Sequence, residues 1–228
     1  MSHMIDVIIP TYKPDKSFEN LIEKLEIQTV KPNKIILMNT EEKYIKDFLR
    51  ESKILEKYDN IEIYHVSEME YDHGKTRDMG VQQSTAPYFL CMTQDAVPYD
   101  NTLIEELLKV LQKENIASVY GKQLARENSH ILENFTRKFN YPDESRIKSK
   151  ADLDVLGIKT YFCSNVCAAY KREVYDKLGG FIKKTIFNED MIYAAAVIKA
   201  GYEIGYVAEA GVIHSHHYTG KQQFHRNF

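Results

Sequence analysis

An isolated carboxylate at the end of an apolar run is the first candidate for chemistry in this sequence. Residues 88–92 (YFLCM) have the composition of a buried strand, and Thr93, Gln94 and Asp95 follow directly. Asp95 can begin the turn before Pro98, which is a common use of aspartate. It can equally bind a divalent cation that holds a diphosphate, because hard cations prefer oxygen ligands. The residue types alone leave both interpretations open.

A second acidic pair lies in NEDM, where Glu189 and Asp190 follow Asn188. Acids in the first turn of a helix that this asparagine caps interact favourably with the helix dipole, which is the simpler interpretation. The functional alternative is a general base, a carboxylate that takes a proton from an attacking hydroxyl.

Three imidazoles fall within the four residues HSHH at 214–217, although the whole chain has only 8 histidines. If a strand continues through this stretch, His214 and His216 share one face of it. Such a pair can ligate a metal or contact phosphates, whereas the alternative is a solvated loop.

The stretch DHGKTRDMG at 72–80 places glycines and basic residues between a predicted strand and a predicted helix. A glycine-containing turn before a helix N-terminus suits an anion. The spacing matches neither GxGxxG nor a P-loop, so this stretch alone does not define a nucleotide site.

The 3 cysteines, Cys91, Cys163 and Cys167, are an odd number and favour unpaired thiols in a reducing compartment. The alternative is a zinc site that combines Cys163 and Cys167 with the histidines. If residues 161–170 form a strand, the two sulfurs lie roughly 13 Å apart. One tetrahedral ion cannot bind both across that distance, so we expect buried structural thiols.

The first 120 residues alternate between apolar runs and helical spacing. Strands are predicted at 5–10, 34–38, 61–66, 88–92 and 116–121. Helices are predicted from Asp15, over 41–57, over 75–84, and after a cap at Asp100 or Asn101. This alternation predicts an α/β fold with a doubly wound, mostly parallel sheet.

The ligand edge of such a sheet lies beyond the C-terminal ends of its strands. In this sequence those ends are residues 10–13, 39–41 and 93–95. Asp95 therefore falls on the ligand edge, which favours the functional interpretation of this carboxylate.

The second half of the chain is less regular. Residues 126–160 are predicted to hold a helix and a long loop. Strands at 161–170, 203–207 and 211–214 and helices at 172–180 and 188–202 are predicted to follow. No linker separates the halves, so residues 4–228 are predicted to form one domain with two lobes. Residues 1–3 look like the remnant of an expression vector.

Composition excludes two classes of function. The net charge is −3, and a nucleic-acid-binding protein would show a clustered basic excess. No stretch approaches the roughly 18 apolar residues that a membrane span needs. The 228 residues, 43% of them hydrophobic, suffice for one sizeable core.

Six short motifs occur in a characteristic order: TQDAVP, FNYP, GIKTYFCSNVCAAYKREV, GGF, EDM and HSHHYTGKQQFHR. With VIIPTYK and HGKTRDMG, they make the chain resemble the family 2 glycosyltransferases of the GT-A fold, over residues 5–228. In finer detail the chain resembles the rhamnosyltransferase-like branch. The resemblance implies a Rossmann-like, mostly parallel central sheet flanked by helices. It assigns nucleotide-sugar binding to residues 4–121 and a smaller acceptor-side lobe to residues 122–228.

The function implied by the resemblance is inverting transfer of a sugar, rhamnose or another deoxyhexose. The donor is a nucleotide-diphosphate sugar, and the acceptor is a hydroxyl of a saccharide or of a lipid-linked precursor in cell-surface polysaccharide synthesis. The implied cofactor is Mg²⁺ or Mn²⁺. The implied location is the cytoplasm, at the inner face of the membrane.

The resemblance also assigns residues to roles. The nucleotide-sugar contacts are Thr11, Tyr12, Asn39, Asp72, Arg77, Gln94, Asp95 and Asn165. The metal ligands are Asp95 with His214, for which His216 is the alternative. Glu189 and Asp190 are the catalytic acids, and Asp190 is the base.

Two departures from the family pattern matter. Thr93 stands where the metal motif Asp-x-Asp has its first acid, so the metal site must rely more on the histidines. The chain also stops at QQFHRNF, where relatives of this branch continue, so we expect a truncated chain whose missing residues bind membrane or a partner.

Two other functions compete with this assignment. A sugar-phosphate nucleotidyltransferase needs a glycine-rich loop after the first strand, and PTYKPDKS has no glycine. A non-catalytic sugar-nucleotide-binding module is expected to lose the base, whereas this chain keeps the acidic pair at 189–190.

Overall fold

The computed structural model describes residues 5–126, 129 and 131–214. Within these residues, nine strands form one sheet. The strands are β1 (Ile5–Thr11), β2 (Lys34–Thr40), β3 (Ile61–Val66), β4 (Tyr88–Met92), β5 (Val97–Pro98), β6 (Ile116–Leu124), β7 (Arg146–Lys148), β8 (Cys167–Lys171) and β9 (Glu203–Ile213).

The sheet is mostly parallel, as predicted. Its strand order is β3-β2-β1-β4-β8-β6-β9-β5, and β7 pairs with β9. β1, β2, β3 and β4 pair in parallel, as do β6 and β9, whereas β8 is antiparallel to both of its neighbours. The C-terminal ends of β1, β2 and β4 therefore meet at one edge of the sheet.

Helices cover both faces of the sheet. In the described part of the chain they are α1 (Lys16–Glu26), α2 (Lys46–Ser52), α3 (Ile54–Lys57), α4 (His73–Gln83), α5 (Leu103–Leu111), α6 (Ile131–Asn140), α7 (Leu153–Leu156), α8 (Arg172–Lys177) and α9 (Glu189–Lys199). Short 3-10 turns occupy Glu42–Tyr44, Lys150–Asp152 and Gly157–Tyr161.

Alternate residues of the central strands enter two separate cores. Val7 and Ile9 of β1 pack on the face that α1 and α5 cover, whereas Ile8 packs on the opposite face with residues of α4 and α9. A strand buried on both sides has no polar face, which explains the continuous apolar runs in the sequence. On α1, the predicted apolar positions Phe18, Leu21, Ile22 and Leu25 are all buried, and Asp15 caps the helix.

The predicted strand at 161–170 is wrong in its first half. β8 begins only at Cys167, and a 3-10 turn ends at Tyr161. The backbone N–H of Asn165 is hydrogen bonded to Asp190 and not to a neighbouring strand. The segment before Cys167 therefore lies outside the sheet.

The predicted helix at 41–57 is broken into shorter pieces. Lys53 adopts a left-handed conformation with φ 54°, which ends α2 and starts α3. The break lets both Phe48 and Ile54 reach the core. Two strands are predicted at 203–207 and 211–214, whereas the structure has the single strand β9. Its pairing with β6 shifts register between Gly121 and Lys122, so residues 208–210 have no partner in β6.

Several helix starts also differ from the predictions. α4 begins two residues earlier than expected because Asp72 accepts hydrogen bonds from the backbone N–H groups of Gly74 and Lys75. Asn188 precedes α9 as predicted, but its side chain makes no capping hydrogen bond and its φ is 65°. Thr102 occupies the cap position of α5, and Asp100 accepts from the Thr102 N–H and hydroxyl.

The three thiols are unpaired and buried within the described residues. Burial raises the pKa of the Cys163 and Cys167 thiols to about 12, so both stay protonated. The expectation of buried thiols is thus confirmed, although the extended strand on which the distance argument rested is absent. No helix among residues 5–126, 129 and 131–214 is both long and apolar enough to cross a bilayer.

Candidate active site

A cleft of about 520 Å³ opens at the edge where β1, β2 and β4 end. It is lined by Pro10, Thr11, Tyr12, Thr40, Glu68, Tyr71, His73, Arg77, Thr93 and Gln94. The cleft therefore forms from the strand ends predicted as the ligand edge and from the first turns of α4. Its volume is in the range of small-molecule sites.

Gln94 fastens the loop after β1 to the loop after β4. Its Oε1 accepts from the Tyr12 N–H at 2.7 Å, and its Nε2 donates to the Tyr12 carbonyl at 3.0 Å. The Tyr12 hydroxyl donates to Glu68 at 3.1 Å, and its ring meets that of Tyr44 edge to face. The two loops thus present a fixed wall to the cleft.

Three lining residues carry buried polar atoms that lack a hydrogen-bond partner in the described part of the chain. These atoms are Thr40 Oγ1, Arg77 Nε and Thr93 Oγ1. A buried polar group without a partner costs about 1–3 kcal/mol. All three atoms belong to residues that line one cleft, although each atom is itself shielded from solvent.

Arg77 connects the cleft to the acidic pair. Its Nη1 donates to the carbonyl of His73 at 3.1 Å and lies 3.1 Å from Glu189 Oε1. Both side chains of this ion pair are about 5% exposed. The start of α4 packs closely against Ile182 and Glu189, and only a glycine fits at position 74. A Cβ there would lie 2.0 Å from the carbonyl oxygen of Ile182 and 3.3 Å from Glu189 Cβ.

Asn165 holds both acids of the pair. Its side-chain Nδ2 donates to Glu189 Oε1 at 3.0 Å, and its backbone N–H donates to Asp190 Oδ2 at 2.9 Å. The Tyr170 hydroxyl in turn donates to Asn165 Oδ1 at 2.6 Å, which fixes the orientation of the amide. Asn165 therefore positions the acids and is buried.

The two acids differ in their electrostatic environment. Burial and the neighbouring Glu189 carboxylate raise the pKa of Asp190 to about 6, against the hydrogen bonds from Asn165 and Met191. Glu189 has Arg77 as a counter-ion, whereas Asp190 has hydrogen-bond donors and no salt bridge within the described residues. A buried carboxylate whose pKa is raised in this way is a candidate general base.

Asp95 and His214 come together although they are far apart in sequence. The Asp95 Oδ2 and His214 Nε2 atoms are 3.4 Å apart, and His214 is buried directly after β9. On the other side of the ring, Nδ1 lies 3.1 Å from Gln123 Oε1 and 3.2 Å from Arg137 Nη2.

The Asp95–His214 pair fits a divalent cation that also binds its substrate. One carboxylate and one imidazole supply an oxygen and a nitrogen donor within reach of a single ion. Mg²⁺ commonly uses one or two carboxylates together with substrate phosphates. In the ranges 5–126, 129 and 131–214, no group of three or more His, Cys, Asp or Glu side chains gathers into a metal site. His216 lies outside the described residues.

Besides Asn165, two more of the residues assigned to the nucleotide sugar make other contacts. Asn39 is 0% exposed, and its amide contacts Thr11, the Glu41 carbonyl and His65. Thr40, the next residue, lines the cleft in its place. Asp72 caps α4 and also accepts from the backbone N–H of Thr185 at 2.9 Å.

Sequence reasoning missed several residues of the site. Tyr71 and His73 line the cleft and flank Asp72, so proximity to the motif at 72–80 was an available signal. Gln123 and Arg137 carried no such signal, because they reach His214 only through the pairing of β6 with β9 and the placement of α6. 

Residues 6–179 match the family described as Glycosyl transferase family 2. The chain therefore belongs to glycosyl transferase family 2 and is a glycosyltransferase, with the GT-A type of fold expected from its motifs.

The chain is similar to two proteins from Salmonella. It is 38% identical to the O-antigen chain rhamnosyltransferase RfbN of Salmonella typhimurium over 225 residues, 98% of this chain and 70% of that protein. It is 39% identical to the O-antigen chain rhamnosyltransferase WbaN of Salmonella anatum, over 97% of this chain and 69% of that protein.

Solved structures with a similar fold share little sequence with the chain. TarS 1–349 of S. aureus in complex with UDP-GlcNAc has a TM-score of 0.71 at 13% identity, over 96% of this chain and 60% of that chain. The mannosyltransferase PcManGT of Pyrobaculum calidifontis, in complex with GDP-Man and Mn²⁺, has a TM-score of 0.66 at 16% identity, over 92% of this chain and 56% of that chain.

Proposed function

We propose that this protein transfers a deoxyhexose, rhamnose, from a nucleotide-diphosphate donor to a hydroxyl of a saccharide or lipid-linked acceptor, with inversion at the anomeric carbon. The observation that carries the proposal is the cleft at the carboxyl ends of β1, β2 and β4, which Arg77 lines and connects to Glu189. Asp190 follows Glu189 in α9, and Asn165 is hydrogen bonded to both acids.

In this proposal the donor occupies the half formed by residues 4–121, and residues 122–228 supply the acceptor side. Thr11, Tyr12, Arg77 and Gln94 line the cleft and would contact the nucleotide sugar. Arg77 suits the diphosphate, because a guanidinium donates several charge-assisted hydrogen bonds to phosphate oxygens.

Asp190 acts as the base in this proposal. A carboxylate with a pKa of about 6 is ionised at neutral pH and can accept the proton of an attacking hydroxyl. Asp95 and His214 would hold Mg²⁺ or Mn²⁺. When bound, this cation supplies a Lewis acid that offsets the charge on the departing diphosphate. Glu189 stays paired with Arg77 and fixes the arginine at the cleft.

The choice of rhamnose rests on the two similar Salmonella proteins, whose names describe rhamnosyltransferases. Calorimetry with dTDP-rhamnose, UDP-sugars and GDP-sugars, each with and without Mn²⁺, tests this choice. We expect dTDP-rhamnose to bind most tightly and Mn²⁺ to strengthen its binding. Tighter binding of another sugar would overturn the rhamnose assignment, and binding of none would overturn the proposed function.

The acceptor is proposed to be lipid-linked and presented at the cytoplasmic face of a membrane, and α6 has a surface suited to this. Ile131, Phe135 and Phe139 recur every four residues and are 84%, 69% and 61% exposed. Lys159 Nζ lies 3.8 Å from the Phe139 ring centroid, and Lys138 is exposed on the same helix. Apolar side chains flanked by lysines favour an interface with anionic lipid.

The position of α6 adds support to this acceptor. Arg137, on the opposite side of the helix from Phe135 and Phe139, contacts His214. A bilayer against the exposed stripe would thus lie about one helix diameter, roughly 10 Å, from the candidate metal pair.

Replacing Phe135 and Phe139 together by serine is expected to reduce binding to phosphatidylglycerol vesicles about tenfold or more, because two large apolar side chains leave the bilayer. Vesicle sedimentation measures this binding. The matched control replaces Ile27 and Leu55 by serine in the same way. These two residues are 59% and 48% exposed and lie outside α6, so the control should bind vesicles like the wild type. Equal binding by the wild type and the α6 variant would contradict the membrane role of this helix.

A further inference from the structure

The environment of His214 extends beyond the pair that it forms with Asp95. We propose that Gln123 and Arg137 are positioning residues that set the tautomer of His214 and thereby control metal affinity. The inference rests on the proposed function, since it concerns the candidate metal ligands of that site. It adds residues that neither the family resemblance nor the named relatives assign.

The orientation of the Gln123 amide follows from its neighbours. Arg137 has only donors, and its Nη1 is hydrogen bonded to Gln123 Oε1. The other end of the amide, Nε2, donates to Ser164 Oγ at 3.0 Å. Gln123 is 3% exposed, so the amide does not exchange these partners with water. Its oxygen is therefore fixed toward His214.

The Nδ1 atom of His214 consequently has two neighbours of opposite kind. Gln123 Oε1, an acceptor, lies at 3.1 Å, and Arg137 Nη2, a donor, lies at 3.2 Å. One imidazole nitrogen cannot donate and accept at once. Each neighbour therefore serves one tautomer of the ring.

The two tautomers correspond to two states of the site. Without metal, a proton on Nε2 points to Asp95 Oδ2 at 3.4 Å, and Nδ1 accepts from Arg137. A metal ligand needs a free electron pair on Nε2, so the proton must reside on Nδ1 and is donated to Gln123. Metal binding thus moves the ring proton from Nε2 to Nδ1, and Nδ1 has a hydrogen-bond partner for each tautomer.

This arrangement makes Gln123 the residue that favours the metal-binding tautomer. Histidines that bind metals usually donate their other ring N–H to an acceptor, and loss of that acceptor typically weakens metal affinity 10–100-fold. Arg137 contributes indirectly, because it keeps the acceptor oxygen of Gln123 turned toward the ring. Glu133 lies 3.8 Å from Arg137 Nη2 and helps to hold the guanidinium.

The test measures Mn²⁺ affinity of the full chain by electron paramagnetic resonance, in the presence of dTDP. Gln123→Leu is expected to weaken Mn²⁺ binding about 10–100-fold. Gln123→Glu keeps an acceptor facing Nδ1 and should bind at least as tightly as the wild type. Gln82→Leu, on the exposed surface of α4, is the matched control and should leave affinity unchanged.

The outcomes separate this inference from the function on which it rests. If the wild type binds Mn²⁺ and folded Gln123→Leu binds it equally well, the positioning role is wrong and the metal site stands. Gln123→Glu as weak as Gln123→Leu would also overturn the role, because a structural amide would then explain the loss. A wild type that binds no Mn²⁺ would overturn the metal site and this inference together.

Nitrogen-15 spectra of the histidine rings report the tautomer of His214 directly, which a purely structural role of Gln123 would leave unchanged. In the metal-free wild type, we expect His214 to carry its proton on Nε2. Addition of Mg²⁺ with dTDP should move the proton to Nδ1. The Nε2-protonated form persisting at saturating Mg²⁺ would contradict the proposal.

Discussion

Asp190→Asn is expected to slow sugar transfer severely and to leave donor binding intact. The amide has nearly the shape of the carboxylate and can still accept the hydrogen bond from the Asn165 N–H, but it cannot take a proton. Loss of a general base lowers the rate about 10²–10⁴-fold. Transfer of radiolabelled sugar measures the rate, and calorimetry with the donor measures binding.

The raised pKa of Asp190 adds a pH dependence to this result. The base must be ionised, so wild-type kcat/KM for the acceptor should fall as the pH drops below about 6. The raised pKa also affects stability, which is greatest at low pH, where activity is lowest. A carboxyl whose pKa is higher when folded stabilises the protein below about pH 4, and this stabilisation is lost as pH rises through about 6.

Asp190→Asn removes that unfavourable ionisation, so its free energy of unfolding at pH 7 should equal or exceed that of the wild type. Urea unfolding at pH 7 tests this directly. Lost donor binding, or a marked loss of stability, would refute the assignment of Asp190 as the base, because either result indicates a structural role.

Arg77→Met is expected to be the most damaging single change in the cleft, because it affects both binding and stability. Removal of one partner of a buried ion pair costs about 3–5 kcal/mol, since Glu189 is left buried without its counter-ion. The donor also loses the guanidinium that we assign to its diphosphate, and we expect affinity to fall about 10–100-fold. Urea unfolding and donor calorimetry measure the two effects.

The double variant Arg77→Met with Glu189→Gln separates these effects. It removes the uncompensated charge, so it should recover much of the stability but none of the donor affinity. Arg50→Met is the control, because Arg50 pairs with Asp47 on the surface and is 73% exposed. Donor affinity that returns with stability in the double variant would show that Arg77 only holds the fold.

The fold was accessible from sequence because both faces of the central strands are buried. Runs such as residues 5–10 and 34–38 are apolar throughout, and helical spacing between them indicated the parallel connections. Prediction failed at 161–170, where the apolar residues belong to two different elements. The hydrogen bonds of Asn165 to the acids decide that break, and no local pattern reports a contact with residues 24 and 25 positions away.

The candidate site was accessible in its acids and less so in its supporting residues. Asp95 follows β4, and Arg77 and Asp190 lie in the first two turns of α4 and α9, where position itself indicates a role. Asn39 looked equally well placed at the end of β2, but its side chain points into the interior and Thr40 faces the cleft. Side chains alternate along a strand, so a one-residue difference decides which of the two meets the ligand.

The supporting residues of His214 illustrate the part that sequence cannot provide. Gln123 lies near the end of β6, and Arg137 lies on a helix that follows it by several residues. Their meeting with His214 depends on the parallel pairing of β6 with β9, in which Leu124 stands opposite Ile213. Only the assembled sheet brings these three side chains together.

The most direct test of the account is a crystal structure of the full chain with dTDP-rhamnose and Mn²⁺, recorded at a wavelength where Mn²⁺ scatters anomalously. We expect the diphosphate in the cleft against Arg77, and an anomalous peak in contact with Asp95 Oδ2 and His214 Nε2. Donor density outside the cleft, or a peak that touches neither residue, would contradict the proposed active site.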